Sequence, residues 1–152
     1  MTVTTAIEAA RQDEVLRMLR LGDQFALGLY PPEGCFLLDV SELEAPGTDV
    51  FVARDACASA AGLVALVDRG DGTGEIKRMF VLETARGSGV ARALLLRLED
   101  RAGELGIRLL QLETGTEHAA ALALYPSAGY RRVPRFGPYV NSEFSVCMEK
   151  VI

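Results

Sequence analysis

The sequence predicts a layered mixed α/β fold, and three observations support it. Short apolar runs suited to buried strands alternate with longer stretches whose apolar residues recur every three to four positions. Glycine- and proline-rich punctuation at Tyr30–Gly34 and Asp68–Gly74 separates them. A chain of 152 residues, 49% hydrophobic and 24% charged, can bury one continuous core, so residues 1–152 are expected to form a single domain.

The elements follow in chain order. Val3, Thr5 and Ile7 alternate with small or polar residues and suit a short first strand. Between Arg11 and Leu29, Val15, Leu16, Leu19, Phe25, Ala26 and Leu29 mark one or two amphipathic helices, ended by Tyr30-Pro31-Pro32-Glu33-Gly34. Cys35–Leu43 reads equally as loop or short helix. Asp49–Arg54 and Ser59–Asp68 are strands; a glycine-rich turn follows, and Glu75–Val81 is the next strand. Val90, Leu94, Leu98 and Ala102 at four-residue spacing predict a helix over Ser88–Gly103, with Gly106 marking its end. Arg108–Thr114 is a buried strand and His118–Ser127 a short alanine-rich helix. Extended segments near Tyr130–Val133 and Glu143–Met148 close the chain.

Charge and cysteine usage narrow the function. Lys and Arg number 16 against 21 Asp and Glu, a net charge of −5, so no nucleic-acid partner is expected. No apolar run approaches the roughly 18–20 residues of a membrane span, and the first residues lack the basic start and apolar stretch of a secretory leader. No membrane association is therefore expected. Cys35, Cys57 and Cys147 are too scattered for a disulfide framework or a zinc site. That points to a cytoplasmic protein without a metal, its cysteines serving as small core residues. A homodimer is compatible with such a chain.

The chemistry-bearing stretch runs from Glu75-Ile76-Lys77-Arg78-Met79-Phe80-Val81 to Arg86-Gly87-Ser88-Gly89-Val90-Ala91. A strand leads through a loop of small residues into the start of a long helix, whose unpaired N–H groups and positive partial charge favour an anion. Gly87 and Gly89 allow close backbone approach, Ser88 can add a hydroxyl donor and Arg86 a full positive charge. Together these features suit a diphosphate. A Walker loop would need Lys and then Ser or Thr after its second glycine, and the dinucleotide fingerprint a third glycine where Arg92 stands.

The spacing is instead Arg-x-x-Gly-x-Ala, formed by Arg86, Gly89 and Ala91, and here the sequence resembles the GNAT superfamily of acyl-CoA-dependent N-acetyltransferases. The likeness continues in Ala121-Leu122-Ala123-Leu124-Tyr125-Pro126-Ser127-Ala128-Gly129-Tyr130, which places a tyrosine four residues before a Gly–aromatic pair, with the strand Leu109–Glu113 between the two motifs. The resemblance implies a twisted, mostly antiparallel sheet with helices on both faces and one parallel strand pair splayed apart near Val81 and Glu113. It also implies acetyl-CoA as cosubstrate and no metal.

Roles carried over by the resemblance fall on named residues. Arg86, Gly87, Ser88, Gly89, Val90 and Ala91 would hold the diphosphate, while Met79, Phe80 and Val81 would hold the pantetheine through their backbone. Tyr125 would protonate the departing thiolate, although a core tyrosine is the plainer reading. Glu75 would act through water as the base for the amine, although a solvated strand end suits it as well. The strand position where protein-acetylating members often carry their acid is Arg78, which cannot accept a proton. His118, the single histidine, would bond the pantetheine arm or stand exposed at a helix start. Tyr30 and Glu33 on one side and Tyr139 on the other would border the acceptor. Glu33, Asp39, Glu75 and the net negative charge favour a small cationic amine, with an acceptor bearing its own carboxylate left open. The expected reaction is acetyl transfer from acetyl-CoA to a small-molecule amine by direct attack. The alternative is a non-catalytic acyl-CoA-binding or regulatory module on the same fold.

Overall fold

The computed structural model describes residues 2–152. Its elements run β1 (Thr4–Ile7), α1 (Asp13–Leu29), α2 (Val40–Leu43), β2 (Thr48–Arg54), β3 (Ala60–Asp68), β4 (Thr73–Val81), α3 (Val90–Glu104), β5 (Leu109–Gly115), α4 (Ala119–Ser127), β6 (Arg131–Val133) and β7 (Ser145–Val151). The strands form one sheet in the order β1-β2-β3-β4-β5-β7-β6. Every neighbouring pair is antiparallel except β4 and β5. Two parallel strands need a crossover, and α3 supplies it.

Strand alternation sorts the core into two layers. Phe51, Val64, Leu66, Ile76, Leu110 and Leu112 share one cluster with Leu94, Leu95 and Leu98 of α3 and with Tyr125 of α4. Val50, Val52, Leu63 and Ala65 pack on the other face against Val15, Met18 and Leu19 of α1 and Leu43 of α2. The expected helices on both faces are therefore present.

Local departures from the sequence reading have physical causes. The segment from Asp13 is one helix, opening with Asp13 and Glu14 in its first turn where the dipole favours acids. The ambiguous Cys35–Leu43 stretch is a loop closing in α2, which Asp39 and Glu42 start as a reciprocal capping box. α3 begins at Val90 rather than Ser88, because Gly87 and Gly89 both take left-handed backbone (φ 78° and 84°). The last strand extends to Val151. Of the three cysteines only Cys147 is buried in the core; Cys35 is half-buried and Cys57 exposed. No helix among the described residues is long and apolar enough to cross a membrane.

Candidate active site

The site begins with a defect in β4. Leu63 of β3 faces Phe80 while Ala65 faces Lys77, so Arg78 and Met79 together occupy the place opposite Val64. This is a β-bulge, which bends its strand. Arg78 takes φ 62°, rare for a side-chain-bearing residue and costing on the order of 1–3 kcal/mol. Its guanidinium is tied down to Asp23 of α1 at 2.6 Å and to the Leu19 carbonyl at 2.8 Å. On the other side, β4 pairs with β5 only from Thr73↔Leu109 to Ile76↔Leu112. The strands therefore part at Lys77 and Glu113, earlier on β4 than the expected Val81.

The gap opens into a cavity of about 550 Å³ running between α1, the start of α3 and α4. Met79, Phe80 and Val81 line it, with no strand on their β5 side. At the α3 end stand Arg86, Gly87, Gly89, Val90 and Ala91. The first helical bond runs from the Ala93 N–H to the Gly89 carbonyl, leaving the preceding amides of the helix start without helical partners. A Cβ added at Gly87 or Gly89 would meet nothing within 4 Å, so the backbone there is open to a bulky anion. Arg86 lies over the Phe25 and Phe80 rings and donates to the Val81 carbonyl. Ser88 turns inward: its hydroxyl donates to the Ala85 carbonyl and is not among the lining groups. These residues fit a coenzyme A diphosphate through backbone amides and Arg86.

Tyr125 of α4 and the N-cap residue His118 bring polar side chains to the lining. His118 is half-buried rather than exposed, and its Nδ1 caps the helix by accepting from the Ala121 N–H at 3.3 Å. Burial, with the Arg86 charge adding, holds its imidazole below the usual range, so the ring is neutral near pH 7. Tyr125 is 5% exposed and stands edge-on to Tyr130. Burial pushes its hydroxyl up, so it keeps its proton.

The far end, at the strand opening, is built from side chains. Glu75 does not line the cavity. Its carboxylate is held by Arg69 at 2.8 Å and by the Tyr139 hydroxyl at 2.5 Å, with the Lys77 ammonium at 3.7 Å. Tyr139 is 2% exposed and sits behind the wall, its hydroxyl also accepting from Lys77 at 2.8 Å. Glu33 is exposed outside the cavity and Asp39 is spent on the α2 cap. Tyr30 does line the cavity, and its hydroxyl accepts from the Glu117 N–H at 2.7 Å, fastening the end of α1 to the β5–α4 loop.

The lining contains one carboxylate that the sequence reading passed over: Glu113, which accepts from the Ser145 hydroxyl at 2.5 Å. Burial pushes its carboxyl above the ordinary range, against the pull of that hydrogen bond and of the Lys77 charge. The signal was present in the alternation Leu110-Gln111-Leu112-Glu113, which sets Glu113 on the α1 face, but its place at the opening depends on the parallel register. The cations in the lining are Lys77, Arg78, Arg86 and Arg92. The acids from which a cationic acceptor was expected are thus not in the wall: Glu33 is exposed, Asp39 caps α2 and Glu75 is paired. Among the described residues no group of three or more His, Cys, Asp or Glu could hold a metal.

Comparison with known proteins agrees with this geometry. The profile of the Acetyltransferase (GNAT) family matches residues 29–130. A protein of Azospirillum brasilense named IAA acetyltransferase is 41% identical over 149 residues, covering 97% of each chain. A Klebsiella pneumoniae structure described as an acyl-CoA N-acyltransferase superposes with a TM-score of 0.87 at 30% identity, over 98% of this chain and 97% of that one. At 14% identity, where the likeness is one of fold, the PaiA N-acetyltransferase of Thermoplasma acidophilum in complex with coenzyme A superposes with a TM-score of 0.77 over 100% of both chains. The chain belongs to the GNAT family of acetyltransferases.

Proposed function

We propose that the protein transfers the acetyl group of acetyl-CoA to the amine of a small molecule, by direct attack with both substrates bound. The observation that carries this reading is one continuous cavity holding an anion-ready helix start, a protonated tyrosine and a half-buried carboxylate: the Arg86–Ala91 loop, Tyr125 and Glu113. Acetyl-CoA, when bound, supplies a thioester whose carbonyl carbon takes the amine. Backbone amides around Gly87 and Gly89, with Arg86, hold the diphosphate, and the unpaired β4 edge at Met79–Val81 holds the pantetheine and polarises the carbonyl.

Glu113 takes the proton that a bound ammonium must lose before its nitrogen can attack. A carboxyl held above its ordinary range is a better base than an exposed one. Glu75, the base expected from sequence, instead holds Lys77 and Tyr139 in place. As the C–N bond forms and the C–S bond breaks, Tyr125 donates its proton to the thiolate, and the nitrogen gives up its second proton. Each turnover converts an ammonium and a thioester into an amide, a thiol and one released proton. Cys35 also lines the cavity, but burial, chiefly, keeps its thiol protonated, which favours direct attack over an acyl-cysteine.

A regulatory module would need the helix start but not a base and an acid facing the same space, so the catalytic reading is favoured. The test is thiol release from acetyl-CoA across amines, amino acids, polyamines and aminoglycosides, beside the melting shift that acetyl-CoA causes alone. Release with any amine supports transfer. A melting shift with no release from any acceptor supports the module.

A further inference from the structure

The charge pattern at the strand opening bears on the acceptor itself, an inference that rests on the acetyl-transfer reading above. Continuing the parallel register Glu75↔Gln111, Ile76↔Leu112 by one position sets Lys77 opposite Glu113. Both side chains stand on the α1 face and line the cavity. Opposite charges so placed would ordinarily pair, yet no ion pair or hydrogen bond joins them among the described residues: Lys77 is drawn back to the Phe36 carbonyl at 3.2 Å and to Tyr139, and Glu113 to Ser145. The chain Arg69–Glu75–Tyr139 holds the ammonium in that position, and its side chain remains 11% exposed. Arg69 and Lys77 together outweigh Glu75 by one positive charge. Arg78, the other cation near this end, is neutralised by Asp23 and is 4% exposed.

We propose that Lys77 and Glu113 form a receptor for a zwitterion, so that the acceptor is an amino acid: its carboxylate meets Lys77 and its ammonium meets Glu113. The groups around this pair fix the rest of the molecule. Phe36, whose carbonyl accepts from Lys77 and whose ring meets Tyr139, lines the cavity beside this pair, and Met18, Tyr30 and Leu37 line the same cavity, so the side chain of the amino acid is apolar or aromatic. Glu113 takes the ammonium proton, the nitrogen forms its bond to the acetyl carbon and the thiol departs, leaving an N-acetyl amino acid whose carboxylate still faces Lys77. Lys77 acts here as a specificity residue, touching the acceptor and not the reacting atoms.

The experiment compares L-phenylalanine, L-phenylalaninamide and phenethylamine, which share a ring and an amine but not a carboxylate. Thiol release gives kcat/KM for each, and calorimetry with coenzyme A present gives binding without turnover. A charged hydrogen-bonded contact of this kind predicts that the free amino acid is preferred about ten- to a hundredfold, in both readouts. Lys77→Gln removes that preference through a higher KM for the free amino acid, Lys77→Arg restores part of it, and the acetyl-CoA melting shift confirms that each variant is folded. Equal use and binding of the three compounds, or a preference that survives in Lys77→Gln, overturns the proposal. If none of the three releases thiol, the wider acceptor panel decides the transfer reading, and carboxylate-dependent binding alone decides whether the zwitterion receptor stands.

Discussion

The two ends of the cavity are made of different materials. At the α3 end most of the polar groups are backbone amides, exposed because two glycines turn left-handed and a helix begins, with the Arg86 guanidinium beside them. At the β4–β5 end they are side chains: Lys77 and Glu113 in front, with Arg69, Glu75, Tyr139 and Ser145 behind. A backbone site is fixed by a few consecutive residues and tolerates any anion of suitable shape. A side-chain site depends on strand register, a bulge and a distant loop, and it can discriminate between acceptors.

The largest expected effect breaks the side-chain end alone. Glu113→Gln keeps the volume and an acceptor for Ser145 but cannot take a proton, so turnover falls by about 10²- to 10⁴-fold. The acetyl-CoA melting shift, set at the other end, is retained. In the wild type the rate climbs with pH on a limb lying above the ordinary carboxylate value of 4.5, because burial raises this group. The same burial has a stability consequence. A carboxyl whose folded value is raised binds more protons folded than unfolded between the two values, so its contribution is present below 4.5 and is lost as pH rises through the folded value. Glu113→Gln removes that loss, so Tm at neutral pH should rise. A variant that is both active and no more stable would remove Glu113 from the site.

Tyr125→Phe comes next and tests the span between the ends. It keeps the ring against Tyr130 and deletes only the hydroxyl, so folding and acetyl-CoA binding should hold while turnover falls by about 10²-fold. Pre-steady-state measurement of thiol release separates a slowed proton donation from slowed product release. Unchanged turnover would make Tyr125 a core residue of the α3–α4 layer.

Gly89→Val attacks the backbone end. Its left-handed φ costs a β-branched residue about 1–2 kcal/mol, and the new side chain projects into space that is otherwise open. Losing one or two amide contacts to the diphosphate should weaken acetyl-CoA binding by about ten- to a hundredfold, measured by calorimetry, with kcat at saturation much less affected. A loss of kcat without a loss of affinity would contradict the separation of the two ends.

This division also explains what could be read from the sequence. The order of elements along the chain, the α3 face and the Arg86–Ala91 loop are local signals, set by residue spacing over a dozen positions, and the structure reproduces them with small shifts at the glycines. Glu75 and Tyr139 were noticed, yet that they bond each other across 64 positions and stand behind the wall follows from how the Gly137–Tyr139 turn packs, which no local pattern encodes. Glu113 was invisible as a site residue because its strand reads as ordinary alternation. Only the place where the β4–β5 ladder stops, set by the bulge at Arg78, puts it at the opening.

The smallest effect sits where the two kinds of construction meet. His118 belongs to the cavity wall as a side chain and to the α4 start as a cap, accepting from the Ala121 N–H over a long 3.3 Å bond. His118→Ala leaves that amide without its partner and should lower Tm by about 1–4 °C at pH 7.5, for a cap worth about 0.5–1 kcal/mol. The cap needs a neutral ring, since a protonated Nδ1 cannot accept. Burial and the Arg86 charge depress the folded value below the ordinary 6.5, so the contribution is complete above 6.5 and is lost as pH falls through the lower folded value. The Tm gap between wild type and His118→Ala should therefore shrink as the pH is lowered, whereas His118→Asn, a good cap with no titration, should hold its Tm advantage over alanine at every pH. Acetyl-CoA then separates the two roles. If His118 also bonds the pantetheine, alanine reduces the acetyl-CoA melting shift while asparagine preserves it; if the cap is its whole task, the shift is the same in all three proteins.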